Sequence, residues 1–105
     1  MTEIKSLQKR IVERREQRGF VKDPLKIHLM LTEEVGEVAR ELKRTWSPNY
    51  EAFDKTKLAD EISDVFVFLS ALANEFDIDI AEAVEAKFFD KDSKRQWKTA
   101  KGDNV

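Results

Sequence analysis

Two short stretches hold residue types that could do chemistry together. The first is "EEVGE", with Glu33, Glu34 and Glu37 around Gly36; the second is "DEISD", with Glu61 and Asp64. Carboxylates three apart on a helix lie one turn from each other, on neighbouring parts of its surface. Grouping them is unfavourable for folding alone. Like charges at helical spacing cost about 0.2–0.5 kcal/mol per pair, and a mid-helix glycine costs about 1 kcal/mol relative to alanine. Asp64 opens an apolar run, where an unpaired carboxylate loses hydration. A divalent cation offsets these costs, and an all-oxygen donor set suits Mg²⁺, with Mn²⁺ as an alternative. Gly36 would let a helix or a substrate approach the backbone closely.

At 3.6 residues per turn the glutamates separate by direction. Glu34 and Glu41 border the stripe of Leu31, Val35, Val38 and Leu42, Glu37 lies one step further round, and Glu33 points mostly away. Glu61 borders the stripe of the following helix, with Asp64 one turn along. If the two helices run antiparallel, Glu34, Glu37, Glu61 and Asp64 can converge. Alone, "EExxE" is an ordinary solvated face; its pairing with "ExxD" on the next helix favours metal. Di-iron bundles need Glu-x-x-His pairs, and the single histidine, His28, does not follow a glutamate by three. It lies near the stripe and is read as structural. The absence of cysteine removes thiolate ligands and nucleophiles.

Helical periodicity places four elements beneath these residues: 1–18, 24–46, 55–76 and 79–92, followed by a polar tail over 93–105. Asp23 before Pro24 is an N-cap with a first-turn proline, and Asp79 with Glu82 is a capping-box-like start. The expected fold is all-α: a single domain, four-helix bundle-like as a protomer. The third helix is apolar nearly all round from Ile62 to Ala73, which predicts burial on every face and therefore a homo-oligomer, dimeric or tetrameric. Charged residues make up 38% of the chain, yet the net charge is only −2, so no global field recruits nucleic acid. No basic patch interleaved with aromatics is evident; Lys5, Lys9, Arg10, Arg14, Arg15 and Arg18 read most simply as a solvated face, with reach to a triphosphate as the lesser alternative. No run is long enough to span a bilayer, and a cytoplasmic location is expected.

Glu33-Glu34-x-x-Glu37 followed by Glu61-x-x-Asp64 at the start of an apolar helix, with "DIDIAEAVEAKFFDKD" beyond, resembles the MazG-like all-α nucleoside triphosphate pyrophosphohydrolases over roughly 24–92. The resemblance implies that Glu34, Glu37, Glu61 and Asp64 ligate Mg²⁺, with Glu33 beside them. It implies attack of water on the α-phosphorus, giving a nucleoside monophosphate and pyrophosphate, with Glu34 as the proton acceptor, in the service of nucleotide-pool house-cleaning. Lys87 matches the family's fourth-helix lysine, which meets the phosphates. Lys91 stands where several relatives have asparagine, a departure that adds a phosphate contact and leaves base recognition open. Trp46 either stacks on the base or fills an interface; Phe68 either lines the pocket or packs in the core. Arg95 and Trp97 either close over a partner subunit's site or pack for stability. The alternative reading is a helical dimerisation or regulatory module of the same fold without turnover.

Overall fold

The structure, a computed structural model, describes residues 3–94. Among them are α1 (Ile4–Gln17), α2 (Pro24–Lys43), α3 (Lys55–Glu75) and α4 (Ile80–Val84), and no strand. The helix α4 continues into a π-helical stretch, Glu85–Lys91, and a 3₁₀ turn, Asp92–Lys94.

Aspartate caps fix three of the starts. Asp23 accepts from Leu25 N at 2.9 Å, with Pro24 in the first turn. Asp54 accepts from Thr56 N at 2.9 Å and from its hydroxyl at 2.6 Å, and Asp79 accepts from Glu82 N at 3.1 Å. Two Schellman turns end helices. After α1, Gly19 sits at φ 66° while Phe20 N reaches Arg15 O and Gly19 N reaches Glu16 O. After α3, Asp77 takes the same position at φ 53°, with Ile78 N on Ala73 O.

The helix α3 is the central element, packed against both α2 and α1, and α4 rests on α1. Small residues on α3 make this possible: Ser70, Ala71 and Ala73 are buried where neighbouring helices close in. The polar Gln8 is buried between α1, α3 and α4. Its amide nitrogen donates to Ile78 O at 2.9 Å and Asn74 Oδ1 at 3.3 Å, its amide oxygen accepts from Ile80 N at 2.9 Å, and Asn74 Nδ2 returns a bond to Gln8 O. Gln8 therefore satisfies backbone groups freed at the α3–α4 turn.

Some positions differ from the sequence reading. The helix α2 ends at Lys43, short of Trp46, as the chain tightens into a turn with Arg44 N on Glu41 O, Thr45 N on Leu42 O and Trp46 N on Lys43 O; the Arg44 side chain pairs with the buried Glu41 and reaches Glu51 at 3.2 Å. His28 is exposed rather than part of a core. Two of α3's apolar faces are met within the chain by α1 and α2; a third, with Ile62 and Leu69, stays exposed.

Candidate metal centre and the cleft beside it

The helices α2 and α3 bring Glu34, Glu61 and Asp64 together, each offering a carboxylate oxygen within 4.8 Å of the others'. Glu34 and Glu61 are half-buried and Asp64 is exposed. Among the described residues, none of the three has a lysine or arginine within ion-pair distance. Desolvation raises the Glu34 carboxyl above its ordinary value, and the nearby charges of Asp64 and Glu61, a hydrogen bond with Glu61 and the charge of Glu37 push the same way. The donor set is thus all-oxygen, anionic and short of positive charge, which fits a hard divalent cation.

Glu37 is exposed and lies outside the 4.8 Å group, though Glu34 feels its charge. Glu33 is exposed. Glu41, on the same stripe, is taken by Arg44, whose Nε stands 3.1 and 3.2 Å from its two oxygens. A Cβ added at Gly36 would meet nothing within 4 Å. The clearance expected there thus serves no neighbour among the described residues.

Asp64 also lines a cleft of about 580 Å³ between α1 and α3. Phe68, one turn past Asp64, lines it too, together with Arg10, Arg14, Arg15 and Arg18. The arginines of α1 are therefore not all a solvated face, and a basic patch with aromatics does exist. Arg15 turns inward: its guanidinium lies 5.3 Å from the Phe20 ring and 5.5 Å from the Phe68 ring, and it donates to Val21 O at 2.9 Å. Burial lowers its pKa, with Glu75 opposing. The sequence reading missed this turn, although Arg15 follows Ile11 by four and so shares its face.

Other candidates fall elsewhere. Lys87 lines an apolar groove of about 570 Å³ formed by the C-terminal half of α3 and the segment after it, and it pairs with Asp92. That spacing of five residues matches one π turn. Lys91 is exposed at the end of the π-helical stretch. Trp46 is 73% exposed and lies in the turn beyond the end of α2, away from the acidic group's turn of that helix. Arg95 and Trp97 lie outside the described residues.

A helical fold with an acidic group shared by two adjacent helices defines a class, and sequence comparison gives the family. The MazG nucleotide pyrophosphohydrolase domain matches residues 22–99, and the chain belongs to that family. A curated relative, the uncharacterized protein YpjD of Bacillus subtilis (strain 168), is 37% identical over 84 residues, covering 75% of this chain and 76% of YpjD. The crystal structure of YpjD from Bacillus subtilis, provisionally assigned as a pyrophosphatase, matches with a TM-score of 0.75 at 27% identity, covering 90% of this chain and 98% of that one. The helix α1 lies outside the span matched by the family.

Proposed function

We propose that the protein is a Mg²⁺-dependent nucleoside triphosphate pyrophosphohydrolase, with Mn²⁺ able to substitute, acting on a surplus or non-standard nucleotide in pool house-cleaning. The observation that carries this reading is the convergence of Glu34, Glu61 and Asp64 without a protein cation beside them. These three would hold the metal, with Glu37, whose charge Glu34 feels, as the fourth carboxylate of the set. A divalent cation there supplies charge neutralisation at phosphate and a lowered pKa for water.

The chain's own residues do the rest. Glu34, through a carboxylate oxygen that the metal would not occupy, is the group that accepts the proton of the attacking water. As the oxygen of water bonds to the α-phosphorus, the bond to the α–β bridging oxygen breaks. Pyrophosphate leaves, the proton passes to Glu34, and the monophosphate remains. Glu33 supports the set from the neighbouring position. A role for Lys87 in holding phosphate requires a second copy of the chain, because in one chain it stands in a groove along α3 well past Asp64. The same holds for Trp46 and for Lys91, which follows Lys87; a phosphate contact from Arg95 remains part of the proposal. A homodimer or homotetramer is therefore part of the proposal.

The test is pyrophosphate release from a panel of nucleoside triphosphates with Mg²⁺. Turnover of at least one member is expected, with Glu61→Gln and Asp64→Asn each lowering it by about a hundredfold or more, as lost charge stabilisation does. No release from any nucleotide would overturn the enzyme reading; full activity in both variants would overturn the site.

A further inference from the structure

The cleft between α1 and α3 has no role in the chemistry above, yet it opens beside Asp64 and is lined by four arginines against the acidic Glu13 and Asp64. Its volume lies within the range of small-molecule sites. Arg10, Arg14 and Arg18 follow one another at four-residue intervals, forming a ladder of guanidinium groups with about 6 Å between steps. None of the three has a carboxylate within ion-pair distance among the described residues. Arg15 is fixed as a floor by Val21 O and already lies over both ring faces, Phe20 and Phe68. What the cleft offers a ligand is therefore positive charge and planar donors rather than open aromatic surface, which suits phosphate oxygens.

We infer that this cleft seats the β- and γ-phosphates of the substrate, so that Arg14 and Arg18, over the Arg15 floor, select triphosphates over shorter phosphate chains. The inference rests on the metal-centre reading only for where the α-phosphorus lies. With that atom at the carboxylate group, the two outer phosphates extend past Asp64 into the cleft, and the leaving pyrophosphate is held by α1. Arg10 widens the same positive field towards the cleft mouth.

Two measurements on the full chain test it. The first is titration calorimetry of inorganic pyrophosphate, with orthophosphate as the comparison, on metal-free protein. Pyrophosphate should bind more tightly than orthophosphate. The pair Arg14→Gln and Arg18→Gln should weaken it by about tenfold or more, the factor set by one lost charge-assisted hydrogen bond. The pair Arg14→Lys and Arg18→Lys should retain an intermediate affinity, and it keeps the test valid if the glutamine pair fails to fold. The second is steady-state turnover. The glutamine pair should raise KM for triphosphates and narrow the kcat/KM ratio of triphosphate to diphosphate, with the ranking of bases unchanged. If the glutamine pair binds pyrophosphate like the parent chain, the inference falls. It falls also if base preference shifts while phosphate-chain selectivity persists, since the cleft would then hold the base. If no triphosphate is hydrolysed but pyrophosphate binding still depends on the arginines, the enzyme reading fails and the anion seat stands.

Discussion

Glu34 ties the acidic group to a measurable pH response. Its carboxyl is raised, first by desolvation and then by its acidic neighbours. A raised carboxyl means the folded chain holds the proton more tightly than the unfolded one. The resulting stabilisation is full below the ordinary carboxylate pKa and is lost as pH rises through the raised value. The metal-free protein should therefore lose thermal stability through this group as pH rises above the ordinary carboxylate range. Mg²⁺ should restore it at pH 7 and add little at pH 4. Glu34→Gln should raise the metal-free melting temperature at pH 7 and remove most of the Mg²⁺ effect; a variant that melts like the parent, with and without Mg²⁺, would show that Glu34 is not under charge stress. The orientation of this residue was legible from helical period alone: Glu34 inward, Glu37 further round, Glu33 outward. Arg15 was not, because its inward turn depends on the Gly19 reversal that brings Val21 O and the Phe20 ring back to it. A long flexible cation carries no mark in the sequence of which way it will bend.

The elements separate what local sequence encodes from what packing decides. Helix starts were legible because Asp23 and Asp79 act on their own first turns. The change from α to π geometry after Val84 has no such local mark. Gln8 is intermediate: it sits between Leu7 and Ile11 on the inward stripe, a polar residue where the pattern expects an apolar one. Only the structure shows why, since its partners are 66 to 72 residues away. Gln8→Leu keeps the bulk and the backbone bond from Asn74 Nδ2, but takes the side-chain partner from Ile78 O, Ile80 N and Asn74 Oδ1. It should cost about 2–3 kcal/mol in denaturant unfolding and should deprotect the α4 amides in hydrogen exchange before those of α2. Equal loss of protection across all helices would argue against a local clamp. Gly36 poses the opposite case. None of the described residues occupies the space its missing side chain leaves, so Gly36→Ala should stabilise the helix by about 1 kcal/mol in metal-free unfolding. A lower kcat/KM in the same variant would show that substrate or a second copy uses the clearance; unchanged turnover would leave Gly36 without a role at the site.

For the whole molecule, the decisive quantity is how little apolar surface one chain hides. Ile27, Ala71 and Ala73 are the buried hydrophobic residues among those described, while Leu25, Leu29, Phe76 and Phe88 are 77, 64, 60 and 63% exposed. The radius of gyration is 17.0 Å, against about 13 Å for a compact domain of this length. Exposed apolar faces of this extent support the proposed homo-oligomer, in which a second copy would cover them. The sequence signal for this was the all-round apolar run of α3, but it pointed to the wrong reason in part: α1 and α2 cover two of its faces, and the uncovered surface also comes from α2 and the segment after α4. Sedimentation at micromolar concentration should therefore show a dimer or larger assembly. Phe76→Glu and Phe88→Glu together replace side chains more than half exposed in the single chain, so they should shift the assembly towards monomer while helical circular dichroism persists at low temperature. Because an interface that completes a core also stabilises it, the melting temperature of the parent should rise with protein concentration and that of the double variant should fall and lose this dependence. A parent chain that sediments as a monomer and melts at a concentration-independent temperature would overturn the assembly, and with it any role for Lys87 at the metal centre.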